Sequence, residues 1–160
     1  MLREGLKLLV IVFVASLIGF DAQSQATLVL EERRALKFGE WAADDTLTGS
    51  VTVPPSSDVA NGTGTLISFG GQVRRARFRI TGEPRAYVIV SLPSSITIRK
   101  GSSSHTMVID SFTMDQTNPI RLNKNGRKII NVGATLRVGA NQRQGKYDDS
   151  NSFTVFVDYQ

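Results

Sequence analysis

His105 is the residue best suited to catalysis in this chain, because it is the only histidine. It directly follows the serine run Ser102 to Ser104, so a nucleophile and a base are neighbours in sequence. Catalysis by such a pair also needs an orienting acid and an oxyanion site, and no motif here supplies them. One histidine without cysteine is also too few for a usual zinc site. We therefore expect an exposed loop histidine, no enzyme and no cofactor.

The acidic run from Asp148 to Asn151 is a second group with chemical potential, because its side-chain oxygens suit calcium. Asp44, Asp45 and Asp58 are further candidates for the same site. The spacing differs from an EF-hand loop, whose ligands alternate around a glycine. A solvated turn is the favoured interpretation, and calcium binding by this loop stays open.

A basic patch is formed by Arg74, Arg75, Arg77 and Arg79. Phe78 and Ile80 alternate with the last two, so a strand here has a charged face and an apolar face. The favoured interpretation is edge protection, since charge discourages unwanted strand pairing. The alternative is binding of an anionic surface polysaccharide or lipopolysaccharide. Without an aromatic platform on the charged face, nucleic acid is not an expected partner.

Residues 1–24 are predicted to be a signal peptide, since a basic start is followed by an apolar run at 8–20. That run is too short for a membrane span, which takes about 20 residues. Ala22, Ser24 and Ala26 have the spacing of small residues that signal peptidase reads. We expect cleavage after Ser24 or Ala26, with an uncleaved membrane anchor as the alternative. The product would be located in the periplasm, at the cell surface or outside the cell.

The chain after the leader, residues 27–160, is long enough for one domain with its own core. It contains no cysteine, so no disulfide stabilises it. The net charge of +5 is modestly basic and suits an anionic envelope surface. No transmembrane segment is expected after cleavage.

The pattern after the leader is typical of an all-β domain, with β-branched and aromatic residues between frequent turn residues. Strands are predicted at 27–30, 35–38, 49–53, 64–69, 76–81, 86–92, 95–99, 106–113, 128–138 and 152–159. Pro93 indicates either a kinked edge strand or two strands in different sheets. Asn125-Gly126 predicts a hairpin turn.

Many short strands predict an immunoglobulin-like antiparallel β-sandwich. A small outer-membrane β-barrel is the alternative, but it needs strands of about 9 to 11 residues and aromatic girdles. Most predicted strands are shorter. Tyr147 stands just before the last strand, where its ring can cover the core while its hydroxyl bonds a main-chain group upstream. That predicts a structural tyrosine corner.

The last strand alternates, so that one apolar face carries Phe153, Val155, Val157 and Tyr159. A strand with such a face must be covered, either by its own domain or by another chain.

Several motifs occur in order along the chain: Leu36-Lys37-Phe38-Gly39, Gly49-Ser50-Val51-Thr52-Val53, Phe78-Arg79-Ile80-Thr81-Gly82-Glu83-Pro84, Ser91-Leu92-Pro93, Val132-Gly133-Ala134-Thr135-Leu136, Val138-Gly139-Ala140-Asn141-Gln142, Gly145-Lys146-Tyr147 and Val157-Asp158-Tyr159. Together they resemble the bacterial exported family catalogued as domain of unknown function 4402. The resemblance implies an exported, pilin-like β-sandwich and no particular activity. The acidic loop after Tyr147 departs from the family pattern.

The alternating C-terminal strand is also similar to the one that chaperone–usher pilins present to a periplasmic chaperone. This resemblance implies like subunits or a chaperone as partners, through β-strand exchange. A candidate donor strand carries the alternating residues Ala26, Leu28 and Leu30. The other interpretation is that this segment is simply the first strand of its own domain.

Overall fold

The computed structural model describes residues 26–148 and 154–160. The predicted leader, residues 149–151 of the acidic loop and Phe153 lie outside these ranges. All regular structure in the described ranges is β-strand: β1 (Val29–Arg34), β2 (Lys37–Ala42), β3 (Gly49–Val53), β4 (Asn61–Thr63), β5 (Ile67–Arg74), β6 (Ala76–Thr81), β7 (Tyr87–Ser91), β8 (Ser95–Arg99), β9 (Thr106–Met114), β10 (Ile120–Arg121), β11 (Arg127–Val138) and β12 (Phe156–Tyr159).

The larger sheet has seven strands and is built around β11, its longest strand. One edge of β11 pairs first with β6 and then with β3, while β9 pairs along the opposite edge. Gly133 lies at the point along β11 where its pairing partner changes from β6 to β3. A Cβ at this position would come within 2.2 Å of the Val53 carbonyl oxygen. Only glycine therefore permits this change of partner, because any side chain would meet fixed backbone.

A three-stranded sheet in the order β10-β7-β12 covers one half of the larger sheet. Between them lies a core of buried side chains that includes Phe78, Ile80, Val88 and Ile130, all fully buried. A ribbon of β2 and β5 covers the other half, where its apolar side chains pack on a second buried cluster. All strand pairs are antiparallel in the described residues, so the protein is the predicted all-β sandwich.

Every predicted strand has a counterpart, with shifted ends in several cases. Pro93 separates β7 from β8, which belong to different sheets. Of the two alternatives predicted for Pro93, the structure therefore has two strands in different sheets. The Asn125-Gly126 turn is present, but the hairpin prediction was wrong. The turn carries the chain from β10 in the smaller sheet to β11 in the larger one.

Within the described ranges, no helix has the length and apolar character that crossing a membrane requires.

Candidate functional site

The last strand, β12, lies at the edge of the three-stranded sheet and pairs only with β7 among the described strands. Val155, just before it, is buried in the first core cluster, and Val157 and Tyr159 pack against the same cluster. Phe156 points the other way and is 54% exposed. The apolar face that the sequence predicted for this strand is therefore turned toward the core at Val155, Val157 and Tyr159.

The main-chain groups of β12 divide between its two edges in alternation. Gln160 stands opposite Tyr87 in the register and donates its N–H to the Tyr87 carbonyl at 3.0 Å. In an antiparallel ladder every second residue bonds the neighbouring strand, so Phe156 and Asp158 also face β7. Val157 and Tyr159 then turn their N–H and C=O groups outward, where no described strand pairs with them. We call this side the open edge of β12.

The opposite side of β7 is closed by a side chain. Asn118 accepts a hydrogen bond from the Val90 N–H at 3.0 Å and donates one to the Val90 carbonyl at 2.8 Å. Both main-chain groups of Val90 face away from β12, consistent with the same alternation. The amide of Asn118 therefore takes the place of a strand beyond the short β10, so that β7 has paired groups on both sides.

Tyr159 connects the two ends of the described chain. Its hydroxyl donates a hydrogen bond to the Ala26 carbonyl at 2.7 Å and accepts one from the Glu83 N–H at 2.7 Å. The Ala26 N–H donates in turn to the Glu83 carboxylate at 3.2 Å. Gly82 makes room for this contact, because a Cβ there would lie 2.6 Å from the hydroxyl. The end of β12 is thereby fixed to the beginning of the domain.

The candidate donor residues lie in their own domain. Leu30 pairs in register with Ile80 of β6 and is only 3% exposed. Leu28 packs against the first core cluster, and Ala26 contacts Tyr159. Of the two interpretations, the structure has this segment as the domain's own first strand.

The edge strand β1 carries charges on both faces. On the outer face, Glu31 forms ion pairs with Arg33 and Arg79. The hydrogen bond from Arg33 is the largest cause that lowers the pKa of Glu31, and the one from Arg79 is the next. On the inner face, Glu32 stands opposite the buried Phe78, and burial raises the pKa of its carboxyl. A half-buried carboxylate and paired surface charges are features that protect an edge strand against further pairing.

The predicted arginine patch is engaged with neighbouring side chains. Arg79 pairs with Glu31, and Arg75 donates from its backbone to Asp58 at 3.0 Å. That backbone hydrogen bond is the main cause that lowers the pKa of Asp58.

Arg77 donates to the Asn131 side chain at 3.1 Å. Arg74 belongs to a different strand, β5, where it stands opposite Lys37. The four arginines therefore do not form one array of free cations.

Tyr147 packs against the second core cluster and donates its hydroxyl to the Arg143 carbonyl, four residues upstream, at 2.7 Å. Gln142 donates to the same hydroxyl at 2.7 Å. This is the geometry of a tyrosine corner, and its role is to fix the loop before the last strand.

The remaining candidates are dispersed. The Asp44 carboxylate accepts hydrogen bonds from Thr46 and Leu47 in a local turn, which lower its pKa. Asp148 forms an isolated bridge with Arg99. His105 is exposed in a turn. Among the described residues, no three histidine, cysteine or acidic side chains come close enough together to hold a metal ion.

Sequence reasoning missed Asn118 and Glu83 as contributors to this region. Asn118-Pro119 signals a turn, but nothing local indicates that the amide reaches Val90, 28 residues away. Glu83 enters the sequence analysis only within a family motif, and its contacts depend on the packing of both ends of the described chain.

The fold and this edge define an antiparallel β-sandwich whose last strand has one side that no described strand pairs with. The chain belongs to the family described as Domain of unknown function (DUF4402), whose model matches residues 28–159. No curated protein and no solved structure matches it.

Proposed function

We propose that the protein is an exported structural or adhesive subunit of the cell envelope that joins like subunits, as in a fimbrium, by β-strand exchange at the open edge of β12. The observation that carries this proposal is the outward direction of the Val157 and Tyr159 main-chain groups, with no described strand beside them.

An edge of this kind suits strand addition for two reasons. Main-chain hydrogen bonds give an added strand its affinity, and alternate side chains of that strand occupy apolar positions beside the core. Val157 and Tyr159 are only partly buried on that core, so an added strand can bury them further. The leader-like residues 1–24 support export of the chain.

The proposed donor is the N-terminal segment of a neighbouring copy, which carries the alternating Leu28 and Leu30. This segment must leave β6 before it can pair elsewhere, because Leu30 is buried there. Leaving β6 breaks the β1–β6 pairing and exposes Leu30, so the main-chain hydrogen bonds and the burial gained at the open edge of a neighbouring β12 must offset that loss.

The variant Val157→Pro tests the edge directly. Proline removes an N–H that faces outward, so pairing with β7 persists while the added strand loses a hydrogen bond. We expect a folded chain, by circular dichroism, that stays monomeric in light scattering under conditions where the parent assembles.

Asp158→Pro is the matched control, since its N–H faces β7, and we expect it to detach β12 and unfold the domain. Asp158→Ser should assemble like the parent. Assembly of Val157→Pro at the parent's level would contradict the proposal.

A cysteine pair at Val29 and Thr81 identifies the donor, because these residues face each other in register and the chain has no cysteine of its own. The disulfide holds β1 on β6. If the N-terminal segment is the donor, the oxidised chain stays monomeric and the reduced chain assembles. Equal assembly in both states would exclude this segment as the donor.

A further inference from the structure

Ala26 is the first described residue, and both of its main-chain polar groups are bonded within the fold. Its N–H donates to the Glu83 carboxylate at 3.2 Å, and its carbonyl accepts from the Tyr159 hydroxyl at 2.7 Å. These hydrogen bonds fix the start of the domain to its last strand. A processed chain keeps them only if Ala26 stays in the product.

Two peptide bonds have the small residues that signal peptidase requires. Cleavage after Ser24 uses Ala22 and Ser24, while cleavage after Ala26 uses Ser24 and Ala26. The sequence alone does not distinguish them. The second cleavage would remove Ala26 with the leader, so that the Tyr159 hydroxyl would keep its donor, Glu83, and lose its acceptor.

We propose that the processing site is the Ser24–Gln25 bond and that the mature chain begins at Gln25. Water adds across this bond, which leaves a carboxylate on Ser24 and a free α-amino group on Gln25. This inference rests on the proposed export of the chain, and it goes further by assigning the bond and the reason for it. The reason is a gain in stability, since a chain that begins at Gln25 keeps the hydrogen bonds that join Ala26 to Tyr159 and Glu83.

The test expresses the full chain with its own leader in a bacterial host and measures the intact mass of the exported product. We expect the mass of residues 25–160, or that mass less one ammonia if the new terminal glutamine cyclises. A product that begins at Thr27 would overturn the inference and leave export standing. An exported product that keeps Met1 would mean an uncleaved leader and would overturn the inference, whereas absence of the chain from the exported fraction would contradict export itself, and with it the proposed function.

Two variants separate the sites. Ala22→Lys removes a small residue needed for cleavage after Ser24 and leaves the residues needed for cleavage after Ala26. This variant should therefore yield a chain that begins at Thr27. Ala26→Gln removes only the second site, and because Ala22 and Ser24 are unchanged, its product should begin at Gln25 like the parent's. Retention of the leader in Ala26→Gln would show that the parent is cut after Ala26, against the inference.

Melting temperatures of the two products test the stated reason. Tyr159→Phe should lower the melting temperature of the chain that begins at Gln25 by roughly 3 to 5 °C, as expected for the loss of hydrogen bonds in a domain of this size. In the chain that begins at Thr27 the same change should have a clearly smaller effect. Equal shifts in both chains would show that Ala26 contributes nothing through Tyr159.

Discussion

The two terminal strands are both edge strands, but only one of them is protected. β1 carries Glu31 in ion pairs on its outer face and Glu32, half-buried, on its inner face. β12 has a single charge, Asp158, and presents apolar side chains to the core. Natural sheets protect the edges that must not pair. This contrast is the feature on which the proposed strand addition at the open edge of β12 depends.

The side of β7 that faces Asn118 shows what a closed edge requires, and breaking it should have the largest effect on stability. Asn118→Ala leaves the N–H and C=O of the buried Val90 without partners. We expect a loss of about 2 to 3 kcal/mol, since each buried polar group left unpaired costs about 1 to 3 kcal/mol. Urea denaturation measures it.

Gln116→Ala is the control, because the Gln116 amide bonds only the neighbouring Asp115 carbonyl. It should change stability by less than about 0.5 kcal/mol, as most surface substitutions do. If Asn118→Ala were equally mild, Val90 would have an alternative partner, and the distinction between the closed side and the open edge would weaken.

A smaller effect is expected from Glu32→Gln, which removes the inward charge of β1. Burial raises the pKa of Glu32 above its ordinary value of 4.5, so the folded state disfavours the carboxylate. The stability that protonation gives is present below that ordinary value and is lost as the pH rises through the folded pKa. Glutamine should therefore stabilise the domain near neutral pH and give no gain in acid below the ordinary value.

Midpoints of urea denaturation, measured near neutral pH and again below the ordinary pKa of 4.5, check this prediction. Glu31→Gln is the matched change on the outer face, and its sign is opposite. Arginine neighbours lower the pKa of Glu31, so its charge contributes above the ordinary value and the contribution disappears on acidification. A loss of stability in Glu32→Gln near neutral pH would mean that this carboxylate has a partner and does not act as a cost of edge protection.

The sequence predicted the strands well where apolar and polar residues alternate, as in β6 and β7. It missed β4 and β10, which have three and two residues and too little pattern to detect. It ended β1 too early, because the charges of Glu31 to Arg34 resemble a loop when their ion pairs are not visible. Alternation of apolar and polar residues shows which side chains share a face of a strand. It does not show which charged side chains pair to stabilise an edge.

The same limit applies to the two C-terminal tyrosines. The Tyr147 hydrogen bond spans four residues, so its position before the last strand was enough to suggest it. The hydrogen bond of Tyr159 to Ala26 spans 133 residues and depends on both sheets being in place. Alternation placed Tyr159 on the apolar face, but it could not show that its hydroxyl reaches the start of the domain.

Residue-resolved amide hydrogen exchange on β12 is the most direct test of the open edge. In the monomer, the Phe156 and Asp158 amides should be protected by β7, while those of Val157 and Tyr159 exchange rapidly. On assembly with like subunits, the Val157 and Tyr159 amides should become protected as the partner strand bonds them. Protection of all four amides in the monomer, or rapid exchange at Val157 and Tyr159 within assemblies, would contradict strand addition at this edge.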